Sequence, residues 1–416
     1  MLDFSPIPTQ ALLTATATAE TAAPLPTPAN LVLAAAALAP RLLAQAPLTD
    51  QTGGFPTQEI RWLHEAGLLS AAVPTSLGGA GLGEPAATLP LLQCLYHLGR
   101  GNLAVGRLWE GHVNGLLLIR LFGTPAQQAR AAHDARTGHL FGVWNTENPT
   151  DGVRLEPLAA QPDGPNGRFR LRGAKTFASG AGHVSRPVLT GALPGRRGWQ
   201  LLVLRADEQR PVLDKSFWRP LGMRATASFR ADLSGLEIGA DELLGRPNDY
   251  YRAPWFGGGA ARFAAVQFGG AAAVLDETRR FLRRLGRTDD PYQRQRLGEM
   301  LTLHETGQRW LRGAAEHAQL PATTAAAATV GALAPARLAA TAAYANGLRA
   351  ATEDIALRTL RLAERSVGAR GLLQPEPFER LHRDLTHYLR QPAPDATLAD
   401  VGAFALGSDR PAYQLW

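Results

Sequence analysis

The apolar positions of this chain change period twice. From about residue 30 to 138 they recur at helical spacing. TQEIRWLHEAGLL (57–69) sets Ile60, Leu63, His64 and Leu68 near one face, with Thr57 as a cap and Gly67 near the end. A glycine-rich loop, LGGAGLG (77–83), leads into LPLLQCLYHL, and TPAQQARAAHDARTG predicts a helix with Thr124 at its N-cap and Pro125 at its first position. From 139 to 248 the period falls to two. RFRLRG follows PNG (165–167), where Asn-Gly is a strong hairpin signal, and WQLLVLRA and FRADLSGLEIG read as further strands. From 249 to 416 the helical period returns. ARFAAVQFGGAAAVLDETRRFLRRLG is one long helix whose two interior glycines invite a close helix partner, and QLPATTAAAATVGALAP is a low-complexity loop between helices. The first 29 residues, biased to Ala, Thr and Pro, read as a loose leader. The predicted class is multi-domain α+β: leader 1–29, helical domain 30–138, β domain 139–248 and helical region 249–416.

Composition narrows the function classes. The 416 residues exceed one ordinary core, and 45% hydrophobic with 19% charged residues fits a globular protein. The net charge of +7 comes almost wholly from arginine, since Lys175 and Lys215 are the only lysines. The arginines are scattered and form no basic run, which argues against nucleic acid and leaves a small anionic ligand open. There is no uninterrupted apolar run of about eighteen residues, so no membrane span is predicted, and the N-terminus lacks a basic segment before an apolar one. Cys94 is the single cysteine, so no internal disulfide forms, which suits the cytoplasm; its apolar helical setting predicts an inert thiol. No CxxC, HExxH or paired histidine spacing is present, so no metal is expected.

Six segments, in order, resemble the acyl-CoA dehydrogenase superfamily: LHEAGLLSAAVPTSLGGAGL (63–82), FGVWNTENPTDG (141–152), RGAKTFASGAGHVSRPVL (172–189), LGMRATASFRADLSGLEIGADELLG (221–245), ARFAAVQFGGAAAVLDETRRFL, and SVGARGLLQPEPFERLHRDL (366–385). The resemblance implies an N-terminal helical domain, a middle β-barrel and a C-terminal four-helix bundle. It implies FAD between the last two, and a homodimer or homotetramer. It places the segments matching WNTE (Trp144, Asn145, Thr146) and TFASG along the flavin ring. An isoalloxazine needs a flat apolar wall, for which Phe177 is suited, and hydroxyl donors at its polar edge, for which Thr146 and Ser179 are suited. Trp144 either packs on the flavin or fills the β domain. Lys175 matches a common family lysine with an expected structural, solvent-facing role. For the FAD tail the resemblance offers only Arg287, in a shortened LGRTDDPYQRQ, and Arg365.

Dehydrogenation of an acyl thioester needs a carboxylate to take the α-proton. The two places where the family carries that Glu hold Ala261, just before Arg262, and the stretch of Gln391 and Pro392. Asp395 is the nearest acid, and PAPD also reads as a helix start where Asp caps. Another branch of the superfamily, the dibenzothiophene monooxygenases and their relatives, needs no such base, only polar groups that stabilise charge developing on oxygen. His387 is the candidate there, and His112 is a second histidine to place. The first expectation is an FAD-dependent oxidoreductase acting on acyl-CoA or a related acyl group, with Arg262 shaping the pocket. The alternatives are a flavin-dependent monooxygenase and a non-catalytic member of the fold.

Overall fold

The computed structural model describes residues 26–158, 167–196, 198–251, 259–318, 335–390 and 394–416. The hairpin turn expected at PNG, the low-complexity stretch after Gln319 and most of the leader lie outside these residues, as do Gln391 and Pro392.

The N-terminal region holds α1 (Pro28–Thr52), α2 (Thr57–Glu65), α3 (Thr88–Gly101), α4 (Leu103–Phe122) and α5 (Pro125–Arg136). Thr27 caps α1, accepting from the Asn30 amide at 3.2 Å, and Leu31, Ala35, Ala39, Leu42 and Ala46 form its buried stripe. That stripe faces α3, where Gly101 lies so close to the Ala39 backbone that a side chain there would collide. By length and composition α1 also reaches the threshold for a membrane span. Pro40, Arg41 and Gln45 interrupt its apolar run, so the sequence shows no unbroken stretch there. On α2 the buried positions are Glu59, Trp62 and Leu63; His64 stands at the rim, where its Nε2 meets the Arg136 carbonyl at 3.0 Å, and Thr57 is helical rather than capping. Thr124 caps α5 and Pro125 starts it as predicted, and Gln127 completes a capping box with Thr124.

The strands are β1 (Phe141–Trp144), β2 (Arg154–Pro157), β3 (Arg168–Arg172), β4 (Ala174–Ala178), β5 (Arg186–Ala192), β6 (Trp199–Val203), β7 (Val212–Asp214), β8 (Phe229–Asp232), β9 (Glu237–Gly239) and β10 (Leu243–Leu244). They form two sheets, one ordered β10-β6-β5-β2-β3-β9 with β1 parallel to β5, the other β4-β8-β7. In β3 the two-residue period is strict: Phe169 and Leu171 are buried and the three arginines between and around them are exposed.

The C-terminal region holds α6 (Gly259–Arg284), α7 (Pro291–His317), α8 (Pro335–Gly371), α9 (Phe378–Tyr388) and α10 (Pro394–Leu406). Gly269 of α6 lies on the Tyr96 backbone and Gly99 of α3 lies on the Val266 backbone; neither has room for a Cβ. The interior glycines therefore do admit a close partner, and it comes from the N-terminal region. Helix α9 turns Phe378, Leu381, Leu385 and Tyr388 inward. Two polar ties hold it. The Asp384 carboxylate accepts from the Met223 amide at 2.6 Å, and Arg383 forks onto Asp50 at 2.6 and 3.3 Å. These bonds lock α9 to α1 and to the loop before β8, which fixes the direction of its last turn.

Candidate functional site

The site begins at an irregularity in β4. The β4–β8 register slips between Lys175 and Ala178, and within the slip Phe177 takes a left-handed φ of 50°. A bulge re-aims the side chain it carries, and Phe177 is accordingly 43% exposed on a strand whose other side chains are buried. Its ring meets Phe217 edge-on at 5.2 Å and Trp218 at 6.1 Å. Trp218 is held by its indole N–H, which donates to the Arg224 carbonyl at 3.1 Å. On its other side stands His387 of α9, with ring centroids 5.6 Å apart and planes at 87°. Burial lowers the pKa of His387, which favours a neutral imidazole.

Beside this wall runs a chain of hydroxyls. Ser179 and Ser228 are 2.9 Å apart, Ser228 and Thr226 2.8 Å, and Thr226 donates to the Met223 carbonyl at 2.9 Å. Each hydroxyl has one proton to give. With the Thr226 proton on Met223, Ser228 donates to Thr226 and Ser179 donates to Ser228. Ser179 therefore presents oxygen lone pairs, not the donor the sequence suggested. Gly180, immediately after it at φ 74°, lies against Val184 and Leu108 with no room for a side chain.

The segment 144–147 is tied to the same place. Trp144 is 1% exposed and its indole N–H donates to the Ser179 carbonyl at 3.0 Å, so it fills the interior of the β region. Thr146 is exposed, and its carbonyl accepts from the Thr176 amide at 2.8 Å. Lys175 corrects its expected solvent-facing role. It is fully buried, ion-paired to Glu147 at 2.5 Å, with the Asn145 carbonyl and the Thr190 hydroxyl each at 3.4 Å. Burial lowers its pKa and Glu147 opposes that shift. One lysine thus fastens 145–147 to β4 and β5. Asn145 also accepts from the Thr190 hydroxyl and donates to the Tyr251 hydroxyl at 3.4 Å.

A polar cluster that sequence reasoning missed lies on α4. Arg107, Glu110 and Asn114 share one helical face; Arg107 and the Asn114 amide donate to the two Glu110 oxygens, and Arg262 Nε donates to Asn114 Oδ1. Glu110 is only 3% exposed. The available signal was the spacing R-x-x-E-x-x-x-N in GRLWEGHVN, which resembles an ordinary solvated face. His112, between them, is structural. Its Nδ1 accepts from the Phe141 amide at 3.0 Å and its Nε2 donates to the Leu69 carbonyl at 2.7 Å; burial pushes its pKa down to about 4. Cys94 is likewise inert, fully buried with its thiol pushed up to about 12.

The remaining candidates do not converge here. Asp395 is exposed in the first turn of α10, a helix packed on α8, where the helix-start reading holds and the inward-facing one does not. Arg287 is exposed just past α6, its amide on the Leu282 carbonyl at 2.9 Å. Arg365 is exposed on α8, its carbonyl accepting from Arg296 at 3.3 Å.

Comparison with known proteins agrees with this architecture. Residues 32–139 match the family model for the acyl-CoA dehydrogenase N-terminal domain. The dibenzothiophene monooxygenase of Mycolicibacterium goodii is 26% identical, covering 87% of this chain and 90% of its own. Among solved structures, a dibenzothiophene monooxygenase from Paenibacillus sp. A11-2, in complex with FMN and indole, superposes with a TM-score of 0.79 at 20% identity over 92% of this chain and 99% of its own. Butyryl-CoA dehydrogenase from Megasphaera elsdenii superposes with a TM-score of 0.77 at 18% identity, over 91% and 98%. Residues 32–139 thus match the acyl-CoA dehydrogenase N-terminal domain, and the chain as a whole shares the acyl-CoA dehydrogenase fold.

Proposed function

We propose that this chain is a flavin-dependent monooxygenase, which takes flavin in its reduced form and oxygenates a small organic substrate with dioxygen. The observation that carries this reading is the state of the carboxylates. Ala261 precedes Arg262, and Glu110 has both oxygens engaged by Arg107 and Asn114. Dehydrogenation requires a carboxylate free to accept the α-proton, and an ion-paired one is poorly suited to that. Oxygenation needs no such base, only polar groups that stabilise charge developing on oxygen, and His387 against Trp218 places one beside an apolar wall. The expectation of acyl-CoA oxidation therefore gives way to its alternative.

The residues fit a flavin ring. Phe177 offers an exposed apolar face, and the free lone pairs of Ser179 are available to accept a ring N–H. When bound, reduced flavin would supply two electrons, so that one oxygen atom enters the substrate and the other leaves as water. The protein's part is to hold the edge through Ser179 and the 145–147 segment, to keep water from the aromatic wall, and to hold or give a proton at His387. Of the flavins, we favour FMN over the expected FAD. Arg287 and Arg365 are exposed and lie apart from the ring site's elements, and the link between α6 and α7 spans only 285–290. The similar Paenibacillus enzyme was crystallised with FMN. A reconstitution experiment tests this: purified protein should retain added FMN by its visible absorbance and consume oxygen faster with reduced FMN when an aromatic heterocycle such as indole or dibenzothiophene is present. Retention of FAD alone, with bleaching by an acyl-CoA, would reject it.

A further inference from the structure

The α4 cluster carries positive charge that oxygenation of a neutral substrate leaves unused. Among the described residues Arg107 and Arg262 face a single carboxylate, Glu110, and Arg120 adds a further like charge to the surroundings of Arg262, offset on its own side by Glu84. Glu110 is spent on Arg107 and Asn114. Asn114 in turn takes the Nε of Arg262, so that among the described residues neither terminal nitrogen of Arg262 has a hydrogen-bond partner. Asn114 thereby fixes the plane of the guanidinium and leaves its two-nitrogen edge unpaired among the described residues. The Tyr388 hydroxyl, on a side chain 2% exposed, also has no partner among the described residues, and it lies in the field of Glu110 and Arg107. A buried donor such as the Tyr388 hydroxyl is costly unless something accepts from it.

This cluster is linked to the elements of the candidate site on two sides. Tyr388 follows His387 on α9. From the other side, Asn145 reaches Tyr251, whose ring meets Tyr250 edge-on at 5.1 Å, and Tyr250 lies in the field of Glu110, Arg107 and Arg262. We propose that the open edge of Arg262 binds an oxyanion head group on the substrate, a carboxylate, sulfinate or sulfonate, and so selects anionic over neutral substrates. A planar guanidinium edge matches two oxygens of such a group. What happens to the bound molecule rests on the monooxygenase reading; the anion preference does not.

The test is calorimetric titration of FMN-loaded full-length protein with benzenesulfonate, benzoate and the neutral methyl phenyl sulfone. The expected result is that an anion binds at least about tenfold more tightly than the sulfone. Arg262→Met should abolish that ratio and Arg262→Lys should keep part of it. Equal affinities in the unaltered protein, or an unchanged ratio in Arg262→Met, would overturn the proposal, as would competition between the anions and FMN, which would assign Arg262 to the cofactor phosphate. If Arg262→Met does not fold, the unaltered protein and Arg262→Lys still decide. If the protein retains no flavin, the same titration without it reads the anion preference alone, so failure of the cofactor reading and failure of this one are separable.

Discussion

His387 stands perpendicular to Trp218, 5.6 Å between ring centroids, although 169 residues separate them in the chain. The bonds from Asp384 to Met223 and from Arg383 to Asp50 set this relation, because they fix α9 against the loop that carries Trp218. A histidine so placed has an apolar neighbour on one side and the candidate cofactor edge beyond it.

Replacing this histidine while keeping its packing isolates its chemistry. His387→Phe should retain flavin and fold normally, yet lower turnover by about 10²- to 10⁴-fold, the range expected for loss of a positioned proton donor or acceptor. Since burial lowers the His387 pKa from 6.5, the acid limb of the rate–pH profile should fall below pH 6.5 and vanish in the variant. Steady-state rates across pH check both points.

The hydroxyl chain predicts an asymmetry. Ser179→Ala removes the lone pairs themselves and should weaken FMN binding about three- to tenfold. Ser228→Ala leaves those lone pairs in place and frees the Ser179 proton, so its effect should be smaller. Fluorescence titration of FMN against the two variants measures the difference; equal losses would contradict the assigned direction of the chain.

Lys175 should be costly to remove alone. Lys175→Met leaves Glu147 and the Asn145 carbonyl without their buried partner and should cost about 3–5 kcal/mol. Lys175→Met with Glu147→Leu should recover part of that loss, because the pair's members are not independent. Denaturant unfolding of the single and double variants gives both values.

His112 predicts a pH dependence of stability. Its folded pKa of about 4 lies below the ordinary 6.5, so the neutral ring's contribution is present above pH 6.5 and is lost as pH falls toward 4. Across that window the loss reaches about 3 kcal/mol. His112→Gln, which offers the same acceptor and donor, should flatten the slope between those two pH values relative to the unaltered protein.

Much of the fold was legible. The change of period from 3.6 to two and back marked the helical and β regions, Thr124 and Pro125 announced α5, and Gly269 announced a close helix contact. Closer to the site, legibility fell for specific reasons. The outward turn of Phe177 depends on a register slip between β4 and β8, which no local pattern encodes. A lone lysine on a strand reads as solvated unless its acceptors are known, and those of Lys175 come from 145–147 and from β5. The Arg107–Glu110–Asn114 face reads as surface until α6 covers it with Arg262. Ser179 stands out in the sequence as a candidate, but the direction of its hydrogen bond depends on Ser228 and Thr226, which the sequence does not bring beside it.

Oxygenation by dioxygen is read from the isotopic origin of the oxygen in the product. Protein supplied with reduced FMN, an aromatic heterocyclic substrate and heavy-isotope dioxygen should yield a product carrying one heavy oxygen atom, seen by mass spectrometry. A product that takes its oxygen from water, or a desaturated acyl product with no heavy oxygen at all, would contradict it.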